Sequence, residues 1–150
     1  MSPEAAGHHA HADYRRTAMA SWASTLGMAW SREPPGLVST FTPGGEHRGP
    51  PGFLHGGLAA AVLDETMAAL SIATDGWYSV TATLDMRFRR PVPLDGNPLR
   101  VEAWRDPPRD PARGRGRRVQ KVHGRLVLAN GETAVEASGL FVRAPGAADG

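Results

Sequence analysis

The sequence contains no cysteine, a single lysine and only two tyrosines among its 150 residues. Without cysteine, disulfide bonds and thiolate metal sites are excluded, and three histidines near the N-terminus are too poorly spaced to predict a metal site. No apolar run reaches the roughly 20 residues of a membrane-spanning helix, and the N-terminus lacks the pattern of a signal peptide. These absences predict a cytoplasmic protein with no membrane partner. We expect a single domain over 13–144 between flexible tails over 1–12 and 145–150.

Basic residues are concentrated in one part of the chain. Residues 87–125 include 12 basic and four acidic side chains, a net charge of +8, whereas the whole chain has a net charge of only +2. This distribution predicts an anionic partner for that segment. Nucleic acid is disfavoured as the partner, because residues 113–125 contain no Phe, Trp or Tyr that could stack on bases.

The order of elements predicts an α+β protein in which an antiparallel sheet wraps around a long central helix. Residues 58–74 are apolar on all sides, which is typical of a buried helix, and Asp75-Gly76 supplies a stop signal. The pair Asn130-Gly131 between two alternating runs indicates a β-hairpin. The other predicted elements are a helix over 13–28 and strands over 36–42, 79–90, 99–105, 117–129 and 132–143.

Two carboxylates, Asp64 and Glu65, lie within the predicted buried helix, where no basic side chain could neutralise them. A buried unpaired carboxylate is costly, so such a group either has a partner from elsewhere or is kept for function. Just before the helix, His55-Gly56-Gly57 offers N–H groups at a helix N-terminus without a Cβ at two positions. This arrangement can polarise a carbonyl oxygen, although two glycines are also typical of an ordinary turn.

The spacing of Gly56 and Asp64 limits how the two residues could cooperate. Eight residues at 1.5 Å per residue separate them by about 12 Å along one helix axis. A reacting carbonyl needs its partners at about 3 Å. If both residues act on one carbonyl, Asp64 must come from a second subunit whose helix runs antiparallel to the first. The sequence therefore predicts a homodimer with composite active sites, provided that both residues are catalytic.

Two stretches of the sequence show a family likeness. They are residues 51–66, which include His-Gly-Gly and Asp-Glu, and residues 80–94, which include Arg-Pro-Val-Pro. They resemble the hotdog-fold acyl-CoA thioesterases, in particular the small PaaI-like enzymes and their mammalian relatives, over about residues 36–143. The resemblance implies a hotdog fold and hydrolysis of an acyl- or aryl-CoA thioester to the free acid and coenzyme A. It implies no cofactor and no metal, since coenzyme A is part of the substrate.

The resemblance also implies roles for individual residues. Asp64 would be the catalytic carboxylate, acting as a general base or as a nucleophile. Gly56 would polarise the thioester carbonyl through its backbone N–H, with His55 and Gly57 shaping that corner. Thr81 would help to position the nucleophilic water. The planar guanidinium group of arginine suits the phosphates of coenzyme A. Four arginines fall where relatives contact coenzyme A: Arg87, Arg115, Arg117 and Arg118.

Several alternatives stay open. Glu65 points about 100° away from Asp64 around the helix, which favours a structural role. Residues 106–116 either cover the nucleotide or form a solvated loop, and the assembly is either a dimer or a dimer of dimers. The sequence leaves open which acyl group the substrate has, and whether the thioester is formed with coenzyme A or with a carrier protein. A non-catalytic acyl-CoA-binding hotdog protein is the main alternative function; a nucleic-acid-binding module and a hotdog dehydratase are more distant. Residues that could line an acyl pocket or belong to the core are Trp22, Met28, Trp30, Phe53, Met67 and Trp77.

Overall fold

One long helix and a six-stranded sheet make up the computed structural model, which describes residues 23–108 and 117–145. The order across the sheet is β1-β2-β4-β5-β6-β3, and each strand is antiparallel to its neighbours. The expected α+β architecture is therefore confirmed. The elements are β1 (Ala29–Glu33), β2 (Gly36–Phe41), a 3-10 helix (Gly45–His47), α1 (Gly56–Asp75), β3 (Ser79–Phe88), β4 (Leu99–Trp104), β5 (Val119–Val127) and β6 (Thr133–Arg143).

Helix α1 lies against the inner face of the sheet and contacts five of the six strands, β2 to β6. Its residues Val62, Leu63 and Met67 are fully buried. The helix approaches β5 closely at Gly124, where a Cβ would lie 2.8 Å from the Met67 sulfur. The helix ends at Gly76, which has a φ of 76° and donates its N–H to the Ile72 carbonyl at 3.1 Å. This left-handed residue confirms the predicted stop signal.

The helix corrects one statement made from the sequence. Its 20 residues, Gly56–Asp75, are long and apolar enough to cross a membrane, although no such run was expected. In this protein 67% of the most apolar window of the helix is buried inside the fold. Helices at the centre of a protein core share this composition with membrane spans, because both are apolar on most sides.

Two other sequence-based expectations differ from the structure. Strand β1 was not predicted, because its five residues are mostly exposed and show no apolar alternation. It pairs with β2 across the two-residue turn Pro34-Pro35. The helix predicted over 13–28 is helical at residues 23–25, and Gly27, with a φ of 64°, precedes β1. The rest of that helix, the tail over 1–12 and most of the segment 106–116 lie outside the described residues.

Strands β1 and β3 form the two edges of the sheet. An edge strand presents backbone N–H and C=O groups that a further strand can pair with. On β3 two large apolar side chains are exposed, Val80 at 50% and Phe88 at 56%. This edge is next to α1, so it sets the surroundings of the residues discussed below.

Candidate active site

The N-terminus of α1 is held by its own capping residue. The N-cap, His55, has extended backbone angles (φ −62°, ψ 129°), and its Nδ1 accepts a hydrogen bond from the Gly57 N–H at 2.9 Å. The His55 carbonyl accepts from the N–H groups of Leu58 and Ala59. The described residues supply no acceptor for the Gly56 N–H. One donor at the positive end of the helix is therefore free for a ligand.

The loop before α1 is a small, firmly hydrogen-bonded platform. Its ends are joined by the bonds Gly49 N–H to Phe53 carbonyl and His55 N–H to His47 carbonyl, both 2.9 Å. The Leu54 N–H donates to the Val92 carbonyl at 2.9 Å, which ties the loop to the segment after β3. A Cβ at Gly49 would lie 2.8 Å from the Cα of His55, so a glycine is needed for this close approach. The loop thus fixes where the helix begins.

A cavity of about 300 Å³ opens at the start of α1. Phe88 is adjacent to the first residue of the helix, since a Cβ at Gly56 would lie 3.6 Å from the Phe88 ring. The remaining walls are mostly apolar, with two arginines at the side. The lining residues are Leu54, Gly56, Ala59, Phe88, Arg89, Arg90, Pro91 and Val92. The cavity can hold an apolar group whose polar end reaches the free Gly56 N–H.

Sequence reasoning identified Gly56 but missed the other residues that line this cavity. Phe88 stands between basic residues at the end of a strand, and only the tertiary contact with Gly56 marks it as part of a site. Of the apolar residues suggested for an acyl pocket, Met28, Met67 and Trp77 are buried in the protein, and Phe53 is 39% exposed. None of these lines the cavity at Gly56. Trp30 is half-buried, and Trp22 lies outside the described residues.

Asp64 and Thr81 meet at the other end of β3. The Thr81 hydroxyl donates a hydrogen bond to Oδ1 of Asp64 at 2.6 Å. Among the described residues, Oδ2 of the same carboxylate has no hydrogen-bond partner. The carboxylate is thus held through one oxygen, while the other is available as a base or nucleophile.

The expectation that the central helix is buried on all sides is wrong for one face. Gly57 is exposed, and Ala60, Ala61 and Asp64 are only partly buried. These residues follow one another at spacings of three, one and three, so they share a face of the helix. Glu65, one position further round, is 8% exposed. The buried carboxylate is therefore Glu65, whereas Asp64 lies at a partly open face that the sheet of the same chain does not cover.

A single chain keeps Gly56 apart from Asp64. The two residues are about 12 Å apart along the helix axis. Phe88, beside Gly56, and Thr81, beside Asp64, are separated by roughly 20 Å along the edge strand. The structure brings together Asp64 with Thr81 and Gly56 with His55 and Gly57, but it does not join these two groups. They form two half-sites, one at each end of β3.

Many arginines of the segment 87–125 are paired within the protein. Five of them form ion pairs with carboxylates, most of which lie elsewhere in the sequence. Part of the +8 charge is therefore neutralised by acids that only the fold brings close. The pairs are Arg89–Glu136, Arg90–Glu132, Arg100–Glu33, Arg100–Glu102, Arg105–Asp75 and Arg125–Glu102.

Glu102 illustrates this internal use of arginine. It is 5% exposed on β4 and accepts hydrogen bonds from Nε of Arg100, at 2.7 Å, and from Nε of Arg125. Burial by itself raises the pKa of a carboxyl group, but the two guanidinium bonds outweigh it and the pKa of Glu102 lies below its ordinary value. Arg125 also lies over the ring of Trp104, 5.4 Å from its centroid. These arginines stabilise the outer face of the sheet.

Three of the arginines predicted to bind coenzyme A have no ion pair with the described residues: Arg87, Arg117 and Arg118. The fourth, Arg115, lies outside the part of the chain that the structure describes. Arg87 stands opposite Glu136 in the ladder, on the sheet face away from α1, near the Phe88 end of β3. The Arg118 carbonyl accepts from the Arg143 N–H at 2.8 Å, which places Arg117 and Arg118 near the start of β3. Near each end of the edge strand there is thus at least one arginine that forms no ion pair within the described residues.

Residues 51–105 match the family model described as Thioesterase superfamily, and this range includes both half-sites. A human relative, acyl-coenzyme A thioesterase THEM5 (Homo sapiens), is 42% identical over 59 residues, covering 39% of this chain and 23% of the relative. Acyl-coenzyme A thioesterase THEM4 of Xenopus laevis is 29% identical over 115 residues, covering 71% of this chain and 45% of the relative. The chain thus spans less than half the length of these curated relatives.

The fold of the chain is the hotdog fold that the resemblance implied. The E. coli PaaI protein from the phenylacetic acid degradation operon aligns with a TM-score of 0.72. The sequence identity is 21%, and the alignment covers 95% of each chain. At this identity the likeness establishes the arrangement of sheet and helix.

The cap on α1 gives a first testable prediction. Replacing His55 with alanine removes the acceptor of the Gly57 N–H, and we expect the free energy of unfolding to fall by about 1 kcal/mol. His55→Asn is the matched control, because asparagine is a good N-cap and should restore most of the loss. Urea denaturation followed by circular dichroism measures both values. Equal unfolding midpoints for His55→Ala and the unmodified protein would contradict the capping role.

Proposed function

We propose that the protein hydrolyses the thioester bond of an acyl- or aryl-coenzyme A, releasing the free acid and coenzyme A. The observation that carries this proposal is that each chain has both a free N–H at Gly56 and, at Asp64, a carboxylate that Thr81 holds in place. The names of the curated relatives support the same reaction class. Membership of the PaaI-like branch and a cytoplasmic location are part of the proposal.

In the proposed reaction, the Gly56 N–H donates a hydrogen bond to the thioester carbonyl oxygen and stabilises the negative charge that develops there. Asp64 either takes a proton from a water molecule that attacks the carbonyl carbon, or attacks this carbon itself. The carbon–sulfur bond then breaks. In the first route the thiolate of coenzyme A takes up the proton that Asp64 removed from water. In the second route the thiolate takes up a proton from solvent, and a water molecule hydrolyses the anhydride between the acyl group and Asp64, which releases the acid and restores the carboxylate. The Thr81 hydroxyl holds Oδ1, which keeps Oδ2 oriented for this work. The scheme needs no metal and no separate cofactor.

The proposed active unit is a homodimer, because one chain contains two half-sites that are too far apart to share a carbonyl. Leu84 and Asp85 are midway between Thr81 and Phe88 on the edge strand. If two copies of β3 pair antiparallel about a two-fold axis near this midpoint, the Thr81 end of one lies beside the Phe88 end of the other. Asp64 of one subunit then approaches Gly56 of its partner, twice per dimer. A dimer of dimers would contain four such sites.

The arginines support coenzyme A as the carrier in this proposal. Arg87 lies near the Phe88 end of β3, and Arg117 and Arg118 lie near its start. In the proposed dimer these opposite ends meet, so each site would receive arginines from both subunits. Arginine binds phosphate through two parallel hydrogen bonds, and coenzyme A has a diphosphate and a 3′-phosphate. Arg115 is included in this proposed set.

The central test is thiol release from a panel of acyl- and aryl-CoA substrates. Asp64→Asn keeps the size of the side chain and removes the base, so kcat should fall by at least about 10²-fold. Gly56→Pro removes the N–H at the first helical position, where proline is tolerated, and kcat should fall by about 10² to 10³-fold. Circular dichroism checks that both variants fold. Rates equal to those of the unmodified protein would refute the assigned roles. Saturable acyl-CoA binding without thiol release would identify a non-catalytic binding protein instead.

Mixing inactive subunits tests the composite site. Asp64→Asn and Gly56→Pro subunits, co-refolded in equal amounts, should recover about a quarter of the activity, because half of the dimers are mixed and each has one intact site. The control mixes Asp64→Asn subunits with the double variant, in which no intact site can form. Activity that stays at the background level in the first mixture would show that both residues act within one chain.

Truncated substrates test the arginines. Arg87→Ala and the pair Arg117→Ala/Arg118→Ala should raise KM for an acyl-CoA by about tenfold with little change in kcat, because phosphate contacts are lost. The same variants should act normally on the matching acyl-pantetheine, which lacks the nucleotide. Arg32→Ala on the opposite edge strand is the matched control. An unchanged KM for acyl-CoA would rule out these contacts.

A further inference from the structure

Strand β3 is irregular at the point where Thr81 meets Asp64. Thr81 stands opposite Phe141 of β6, but the next pair along the ladder is Thr83 with Leu140. Ala82 is therefore an extra residue in β3, which makes this position a β-bulge. A bulge changes the face on which the neighbouring side chains of its strand lie.

The bulge decides which way Thr81 faces. Beyond it, Leu84 and Phe88 stand opposite buried residues of β6 and so lie on the side of α1. In a regular strand, only residues separated by an even number of positions share a face. Thr81, three positions before Leu84, would then face away from the helix. The extra residue Ala82 reverses this and lets the Thr81 hydroxyl reach Asp64 at 2.6 Å.

The first residue after the bulge ties the two strands together with its side chain. The Thr83 hydroxyl accepts a hydrogen bond from the Leu140 N–H at 3.1 Å. Leu140 is also the ladder partner of Thr83. A side-chain oxygen thus takes part in the pairing where the extra residue disturbs the backbone ladder.

The facing strand is also adapted to the bulge. A Cβ at Gly139 would lie 2.5 Å from the Thr83 carbonyl oxygen and 3.0 Å from the Phe141 ring. No other residue type could take this position without moving the backbone of β3. Gly139 is therefore a second feature, independent of the Thr83 hydroxyl, that fits β6 to the bulged strand.

We propose that Thr83 is a positioning residue for the catalytic pair: its bond to Leu140 holds the bulge that turns Thr81 toward Asp64. Thr83 stands opposite exposed Leu140, on the face of the sheet away from α1, so it acts through Thr81 and not on the substrate. The inference rests on the proposed function, because Thr81 and Asp64 are its catalytic pair.

The test compares two substitutions in the 150-residue chain. Thr83→Val keeps the branched shape and removes the acceptor, and kcat for thiol release should fall at least tenfold, since misplacing a catalytic group by 1 Å costs on the order of 10²-fold. KM should change little. Thr83→Ser keeps the hydroxyl and should retain most of the activity. Thr40→Val, an exposed threonine of β2, is the control for the loss of a surface hydroxyl.

A double-variant cycle separates positioning from general damage. If Thr83 acts through Thr81, then adding Thr83→Val to Thr81→Val should lower kcat by less than about twofold. If the two losses multiply, Thr83 has only a structural role and the proposal is wrong. Activity of Thr83→Val equal to that of the unmodified protein would also overturn it, while leaving the proposed function intact.

Amide hydrogen exchange provides a readout that does not depend on activity. The Leu140 N–H should exchange faster in Thr83→Val than in the unmodified protein or in Thr83→Ser. If the unmodified protein releases no thiol from any acyl-CoA, the proposed function fails. Crystal structures of the two variants then decide the placement of Thr81: a Thr81–Asp64 bond that persists in Thr83→Val, with unchanged Leu140 exchange, overturns the proposal.

Discussion

The rise of an α-helix, 1.5 Å per residue, is the constraint on which the candidate site depends. It separates the free N–H of Gly56 from the carboxylate of Asp64 by about 12 Å, and no adjustment of side chains can close that distance. Helix α1 is packed against five strands, so it cannot bend to bring the two residues together. Each chain therefore contains the N–H donor of Gly56 and the carboxylate of Asp64 as two separate half-sites. The partly exposed helix face that includes Ala60, Ala61 and Asp64 lies between them.

Strand β3 runs between these two half-sites. Its last residue, Phe88, is adjacent to Gly56, and its third residue, Thr81, is bonded to Asp64. Because β3 is an edge strand, its backbone can pair with another copy, and a two-fold axis would exchange its two ends. One strand thus provides an aromatic wall, a hydroxyl that orients the carboxylate, and an edge suited to self-association. The bulge at Ala82 allows the same strand to direct Thr81 and Phe88 toward the helix.

The features that sequence predicted well are those set by short-range patterns. The apolar run and Asp75-Gly76 defined α1 within two residues, and the pair Asn130-Gly131 identified the hairpin of β5 and β6. Asp64 and Gly56 were recognised because a carboxylate in an apolar run and two glycines before a helix are locally unusual. Features that depend on tertiary contacts were missed: β1 lacks apolar alternation, Phe88 matters only through Gly56, and the bulge exists only relative to β6. The burial of Asp64 was overestimated, since periodicity does not reveal which helix face the sheet leaves open.

The fate of the basic segment follows from the same distinction between local and tertiary information. The net charge of residues 87–125 includes Arg100 and Arg125 and so suggests that both are available to bind an anion. In the fold, both instead neutralise the buried carboxylate of Glu102. Two guanidinium bonds keep this carboxylate ionised in a buried position, and removing either arginine would leave a buried charge only partly compensated. The arginines available to a ligand are therefore fewer than the net charge indicates. Those without an ion pair in the described residues, Arg87, Arg117 and Arg118, lie near the ends of β3, so the remaining positive charge is placed close to the two half-sites.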